Sequence, residues 1–240
     1  YTTLFRSFGC RVYRTEWNDD FAAARNEALS YAEQPYILSI DADERLVNPG
    51  QIEPLLKESS LQTGGWLVEV SSEVQRKAGK DKFVSNLLRL FRNDENIRFS
   101  GIIHEQVTES VINLGLRIEN SPVKIIHHGY DSSPKNLRDK QLRNLKLLDK
   151  AVENDPEHAY SLFQRAKTLL ALERYEEAEQ DIIKAIEKAP DSGTVRPSAL
   201  NYGGIIAYRN DDLKNAESRA KKSIELVPKQ AFANFILGEV

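Results

Sequence analysis

The sequence predicts an α/β domain followed by an all-α array, because two textures meet near residue 130. Before that point, short β-branched and aromatic runs alternate with helical stretches, the pattern of strands and covering helices. Beyond it, strand signals stop and small residues recur at a fixed helical period. The expected boundaries are residues 1–130 for the first domain and 131–240 for the second.

In chain order, the strand candidates are CRVY (10–13), YILSI (36–40), GWLVEV (65–70), LLRLF (87–91), IIHEQV (102–107) and VKIIHH (123–128). Between the first two, NDDFAAARNEALSYAE puts Phe21, Ala24, Ala28, Leu29 and Ala32 on one face at helical spacing, with Asn18 or Asp19 as the cap. Strand, helix and strand within about 30 residues make a βαβ unit, so YILSI is expected to be a central strand of a parallel sheet. In SSPKN, Ser133 is placed to cap a helix and Pro134 fits its first turn. Pro156 and Pro190 are then 34 residues apart, and Pro190 and Pro228 are 38 apart, so four residues are inserted near DSGTVR. Ala178 and Ala185 before Pro190 correspond to Ala216, Ala220 and Ser223 before Pro228; Tyr175 and Leu213 are likewise equivalent. Small residues at these places let two helices cross closely.

Composition sets limits on function. With 240 residues, 40% of them apolar and 29% charged, the chain can bury a sizeable core. A net charge of −3 gives no broad electrostatic reason to bind nucleic acid or an anionic membrane. No apolar run approaches the roughly 18–20 residues of a transmembrane helix. Cys10 is the single cysteine and has no internal disulfide partner, which favours a reducing compartment. A cytoplasmic protein is expected, at most peripheral to the inner face of the membrane. The absence of any methionine points to a fragment.

YILSI runs directly into DADE, which crowds Asp41, Asp43 and Glu44 into four positions. A strand leaving a parallel sheet delivers its last residues to the edge where α/β proteins bind ligands. Alternation would point Asp41 and Asp43 to one side. Two oxygen donors there suit Mg²⁺ or Mn²⁺, which accept carboxylate and phosphate oxygens. On its own, DAD reads more readily as a solvated turn.

The surroundings add to this. WNDDFAAARNEAL, YILSIDADERL, RLFRN (89–93), RFSGIIHEQV (98–107) and IIHHGY (125–130), in that order, resemble the family 2 glycosyltransferases. The 34-residue period resembles the tetratricopeptide repeat. Together they are similar to a bacterial subgroup in which such repeats follow the transferase domain. The resemblance implies a GT-A-like nucleotide-diphospho-sugar transferase fold and inverting transfer of a sugar to a glycan, lipid-linked or peptide acceptor, with Mg²⁺ or Mn²⁺. It implies Asp43 as the direct metal ligand, Asp41 as a ribose or metal contact, and His127 as a further metal ligand. It also implies Arg25 and Asn26 as nucleotide-sugar contacts; by residue type and place, Asp20 is expected to line the same pocket and Arg89 to neutralise the diphosphate or to decorate a strand. Glu105 would be the base that activates the acceptor, with His104 orienting it or touching substrate; the family more often has an aspartate at this point. Glu44 would brace the turn or cap a following segment. YTTLFRSFGCRVY matches only the helix and strand that come after the family's first nucleotide-binding strands, so an N-terminal truncation is expected. The repeats imply a protein partner and a second reading, in which a degenerate transferase domain accompanies a non-catalytic scaffold.

Overall fold

The computed structural model describes residues 6–76, 79–128, 134–191 and 193–240. Gly129, Tyr130 and Ser133 of the motifs named for the sequence lie outside these residues. The chain divides into two compact units, Tyr1–Ser133 and Pro134–Val240.

The first unit is a mixed sheet with helices on it. Strands β1 (Tyr36–Leu38), β2 (Glu44–Leu46), β3 (Thr63–Arg76), β4 (Gly79–Arg92) and β5 (Arg117–His127) lie in the order β1-β4-β3-β5-β2. β3 and β4 pair antiparallel from Gly65 opposite Phe91 to Arg76 opposite Gly79, β5 runs parallel to β3, and the short β1 and β2 pair antiparallel with β4 and β5. The described residues of this unit also hold helices α1 (Phe21–Ser30), α2 (Ile52–Lys57) and α3 (Thr108–Asn113). Alternation along the strands sorts the core into two clusters. Trp66, Val68, Val70, Leu90, Val123 and Ile125 pack with Ile52, Leu55 and Leu56 of α2. Phe91 points the other way and meets Leu29 of α1, Val107, and Val111 of α3.

Several strand expectations are corrected. CRVY forms no strand: Arg11 donates to the Tyr31 carbonyl at 3.0 Å and Tyr13 stacks on Tyr31, so this segment follows α1. YILSI shortens to Tyr36–Leu38 and is an edge strand of the described sheet, antiparallel to β4, where a central parallel strand was expected. IIHEQV is a loop, because Gly101 and His104 take left-handed φ of 97° and 57° and the backbones of Ser100 and Gln106 close it at 3.0 and 3.1 Å. GWLVEV and LLRLF are parts of two strands of 14 residues each. In α1 the cap is Asp20, not Asn18 or Asp19, and Ala22 and Leu29 are the buried residues while Ala28 is exposed.

The second unit contains α4 (Pro134–Asn154), α5 (Ala159–Ala171), α6 (Tyr175–Lys188), α7 (Val195–Arg209), α8 (Leu213–Leu226) and α9 (Ala231–Glu239). Tyr175 and Leu213 each open the second helix of a pair, as their equivalence predicts. Ala178, Ala185, Ala216, Ala220 and Ser223 are all fully buried. The four extra residues divide evenly: α7 has 15 residues against 13 in α5, and the preceding connection spans 189–194 against 155–158. Among the described residues, no helix is long and apolar enough to cross a membrane.

Candidate active site

The DADE segment joins β1 and β2, which lie at opposite edges of the described sheet. It is a turn and not an extended strand end: the Glu44 amide donates to the Asp41 carbonyl at 3.0 Å. Alternation therefore does not apply, and Asp41 and Asp43 separate to different partners. Glu44 locks the turn from below, its Oε2 accepting from the Asp41 amide at 2.8 Å with the side chain only 3% exposed. It braces the turn, one of the two roles expected of it.

Asp41 lies between two guanidinium groups. Arg25 Nη2 donates to Oδ1 at 2.7 Å, and Arg89 Nη2 donates to Oδ2 at 3.1 Å and to Glu44 Oε1 at 3.0 Å. Burial works to raise the carboxyl pKa of Asp41, but Arg25 and then Arg89 outweigh it and hold the group below the usual carboxylate range. Arg89 reaches this place from a β-bulge. Trp66 pairs with Leu90 and Leu67 with Leu88, so Arg89 is the extra residue, and its carbonyl accepts from the Ser39 amide at 2.8 Å.

Arg25 comes from α1. Its Nε donates to Glu105, its Nη1 to Ser39 Oγ at 3.0 Å, and its guanidinium lies 5.4 Å from the Phe99 ring centroid. Burial opposes its charge, but Asp41 and Glu105 together raise its pKa above the ordinary arginine value. Glu105 is little exposed, at 10% of its side chain. Beside it His104 is exposed at the left-handed bend of the loop.

Asp43 meets His127 through the sheet. Antiparallel pairing sets Glu44 opposite His127, and the His128 amide donates to the Asp43 carbonyl at 2.7 Å. Asp43 Oδ2 is then 3.0 Å from His127 Nε2, while His127 Nδ1 is 3.3 Å from Ser72 Oγ. A carboxylate oxygen and an imidazole nitrogen, 84 residues apart in sequence, converge at a half-exposed position. No group of three or more His, Cys, Asp or Glu residues suited to a metal occurs among the described residues. The pair nonetheless fits an ion that keeps waters and takes phosphate oxygens for the rest of its shell.

Two candidates have other local duties. Asn26 donates to the Phe99 carbonyl at 2.9 Å and accepts from the Phe99 amide at 2.8 Å, so its amide grips the loop backbone. Asp20 Oδ1 accepts from the Ala23 amide at 2.9 Å and caps α1. Sequence reasoning did not single out Ser39, Ser72 or Phe99. Ser39 precedes Asp41 by two positions, which is a hint; Ser72 and Phe99 carry no local signal.

Residues 2–101 match the model of glycosyl transferase family 2, and residues 147–180 match a tetratricopeptide repeat model. A tetratricopeptide repeat-containing protein of Synechococcus elongatus is 29% identical over 223 residues, 90% of this chain and 54% of that protein. The prophage-derived glycosyltransferase SunS of Bacillus subtilis is 29% identical over 173 residues, 71% of this chain and 40% of its own length. The chain thus spans about half, or less, of the length of these curated relatives. Among solved structures, the second tetratricopeptide domain of human RPAP3, in complex with an HSP70 peptide, is similar at 22% identity and a TM-score of 0.39, covering 43% of this chain and 83% of that one.

Proposed function

We propose that this chain, which carries a family 2 glycosyltransferase domain over residues 2–101 and a tetratricopeptide repeat over 147–180, transfers a sugar from a nucleotide-diphosphate donor to an acceptor hydroxyl or other nucleophile. The observation that carries the reading is the convergence of Asp43 and His127, 3.0 Å apart, beside an Asp41 fixed between two arginines.

In this reading Asp43 and His127 would hold Mg²⁺ or Mn²⁺, and an ion bound there would supply positive charge to offset the charge that develops on the leaving nucleoside diphosphate. Asp41 keeps the turn in register with both oxygens engaged by guanidinium groups, which leaves Asp43 as the carboxylate that faces the ion. Glu105 takes the acceptor proton. Its Oε1 is held by Arg25, so Oε2 is the oxygen that receives it. The acceptor atom forms its bond to the anomeric carbon as the bond from that carbon to the phosphate oxygen breaks, and configuration inverts. His104, exposed next to Glu105, contacts the acceptor.

The test is nucleotide release from UDP-, GDP- and TDP-sugars in the presence of Mn²⁺. Metal-dependent release that Asp43→Ala removes without unfolding the protein supports the assignment. Neither release nor metal-dependent nucleotide binding would leave the scaffold reading in its place.

A further inference from the structure

We infer that Arg25 is a positioning residue that registers the proton-accepting Glu105 against the donor-side turn at Asp41. The inference rests on the glycosyl-transfer reading and deepens it.

Helix α1 is fastened to the loop that carries Glu105 by three of its residues. The Phe21 amide donates to the Ile102 carbonyl at 2.9 Å, Asn26 brackets the Phe99 peptide from both sides, and Arg25 Nε donates to Glu105. That loop has no ladder of its own. It is held by the Ser100–Gln106 bridge and bends left-handed at Gly101 and His104, so its path depends on what it is tied to. The helix N-terminus is itself fixed by the Asp20 cap. Position is thus passed from α1 to the loop.

The same guanidinium reaches the other way. Nη1 donates to Ser39 Oγ at 3.0 Å and Nη2 to Asp41 Oδ1 at 2.7 Å, both on the segment that leads from β1 into the DADE turn. A guanidinium is planar and its donors point in fixed directions. Held against the Phe99 ring, it imposes one plane on Glu105, Ser39 and Asp41. Each of its three nitrogens has one protein acceptor, so three of its five N–H donors are spent on Glu105, Ser39 and Asp41. The two carboxylates, 64 positions apart in sequence, belong to opposite sides of the proposed reaction: Asp41 to the donor turn, Glu105 to the acceptor. One side chain sets their separation. Misplacement of a reacting group by about 1 Å costs roughly 100-fold in rate.

The experiment uses the full chain. Arg25→Lys keeps the charge and removes the fork. We expect kcat for transfer to fall about 100-fold, while calorimetric affinity for the nucleotide sugar with Mn²⁺ changes by less than about threefold. Loss of donor affinity with kcat retained, or no loss of either, overturns the inference. A second measurement does not depend on catalysis. Asp41→Asn and Glu105→Gln are made singly and together, with Arg25 present and in an Arg25→Met background, and urea unfolding is followed by tryptophan fluorescence. Both tryptophans, Trp17 and Trp66, belong to the first unit, so the signal reports that unit alone. Non-additivity with Arg25 present that disappears in its absence supports the inference; additivity in both backgrounds overturns it. If the native protein neither binds nucleotide sugar nor transfers it, the glycosyl-transfer reading fails, and the cycle still decides whether Arg25 couples the two carboxylates.

Discussion

The two units differ in how far apart in sequence most of their ordering contacts reach. In the second, fully buried Ala178, Ala185, Ala216, Ala220 and Ser223 recur at the crossings of successive helices, and the contacts that matter join elements next to each other in sequence. In the first, Arg25 meets Glu105, Arg89 meets Asp41 and His127 meets Asp43, across 80, 48 and 84 positions. Packing that repeats at a fixed interval is redundant. A polar constellation assembled from distant segments is not, because each member is fixed by a partner of one geometry. Substitutions in the first unit should therefore cost function more than stability, and substitutions in the second the reverse.

The sharpest break of that contrast is Asp43→Ala. Asp43 is about half exposed, and its removal should leave the unfolding transition nearly unchanged. If it carries the metal, transfer should fall about a thousandfold, several kcal/mol of charge stabilisation, in the nucleotide-release assay. Retained transfer would remove the metal assignment.

Ser72→Ala is the next test. Ser72 touches the far nitrogen of His127, at 3.3 Å, and that contact orients the ring so that Nε2 faces Asp43. Outer partners of metal-binding histidines are typically worth 10- to 100-fold in affinity, so Mn²⁺ titration by calorimetry should show a loss of about that size. An unchanged affinity would mean that the Ser72 contact does not aim His127.

The second unit is tested by Gly203→Val. A Cβ on Gly203 would lie 2.8 Å from Ile182 Cγ2 and 2.9 Å from Arg219 Nη1, and the Gly203 carbonyl accepts from that same nitrogen at 2.9 Å. The valine would press α7 away from α6 and α8, with a cost of about 1–3 kcal/mol typical of overpacking. Far-UV circular dichroism should record it as a lowered urea midpoint. Donor binding should not change, since no residue of the proposed site lies in this unit; a loss of donor binding would break the separation of roles.

This contrast also explains what could be read from the chain in advance. Helix order, boundaries and the burial of the small residues were legible in the second unit, since a period of 34 encodes neighbours directly. In the first unit residue types were legible and geometry was not. CRVY has strand composition but lies along α1, and IIHEQV has it but is bent by Gly101 and His104. Asp41 and Asp43 were grouped by alternation, which the Glu44–Asp41 turn removes. The bulge at Arg89 depends on the pairing partner, and a partner is not a local property.

The smallest expected effect concerns a charge that departs from the second unit's pattern. Lys167 on α5 is half-buried against the rings of Phe163 and Tyr202, 5.3 and 5.8 Å from their centroids, and its Nζ donates to Gln164 Oε1 at 3.3 Å. Burial lowers its pKa from the ordinary lysine value. The folded protein therefore releases this proton at a lower pH than the unfolded chain, whose lysines titrate near about 10.4. Below the folded pKa both states are protonated and the full cost of burying the charge is present. As pH rises from the folded pKa towards about 10.4, the unfolded state binds more protons and stability increases. Lys167→Met removes that cost while keeping an unbranched side chain against the rings, and loses a cation–π contribution of about 0.5–1 kcal/mol. The variant should gain less than about 1 kcal/mol near pH 7, with the gain shrinking as the pH is raised. Tyr202, whose phenol pKa burial shifts upward, lies against Lys167, so both proteins are compared in a Tyr202→Phe background, which leaves the lysine as the group that differs. A difference independent of pH would show that the lysine head group rests in water, and that the second unit is as tolerant of polar groups as the first.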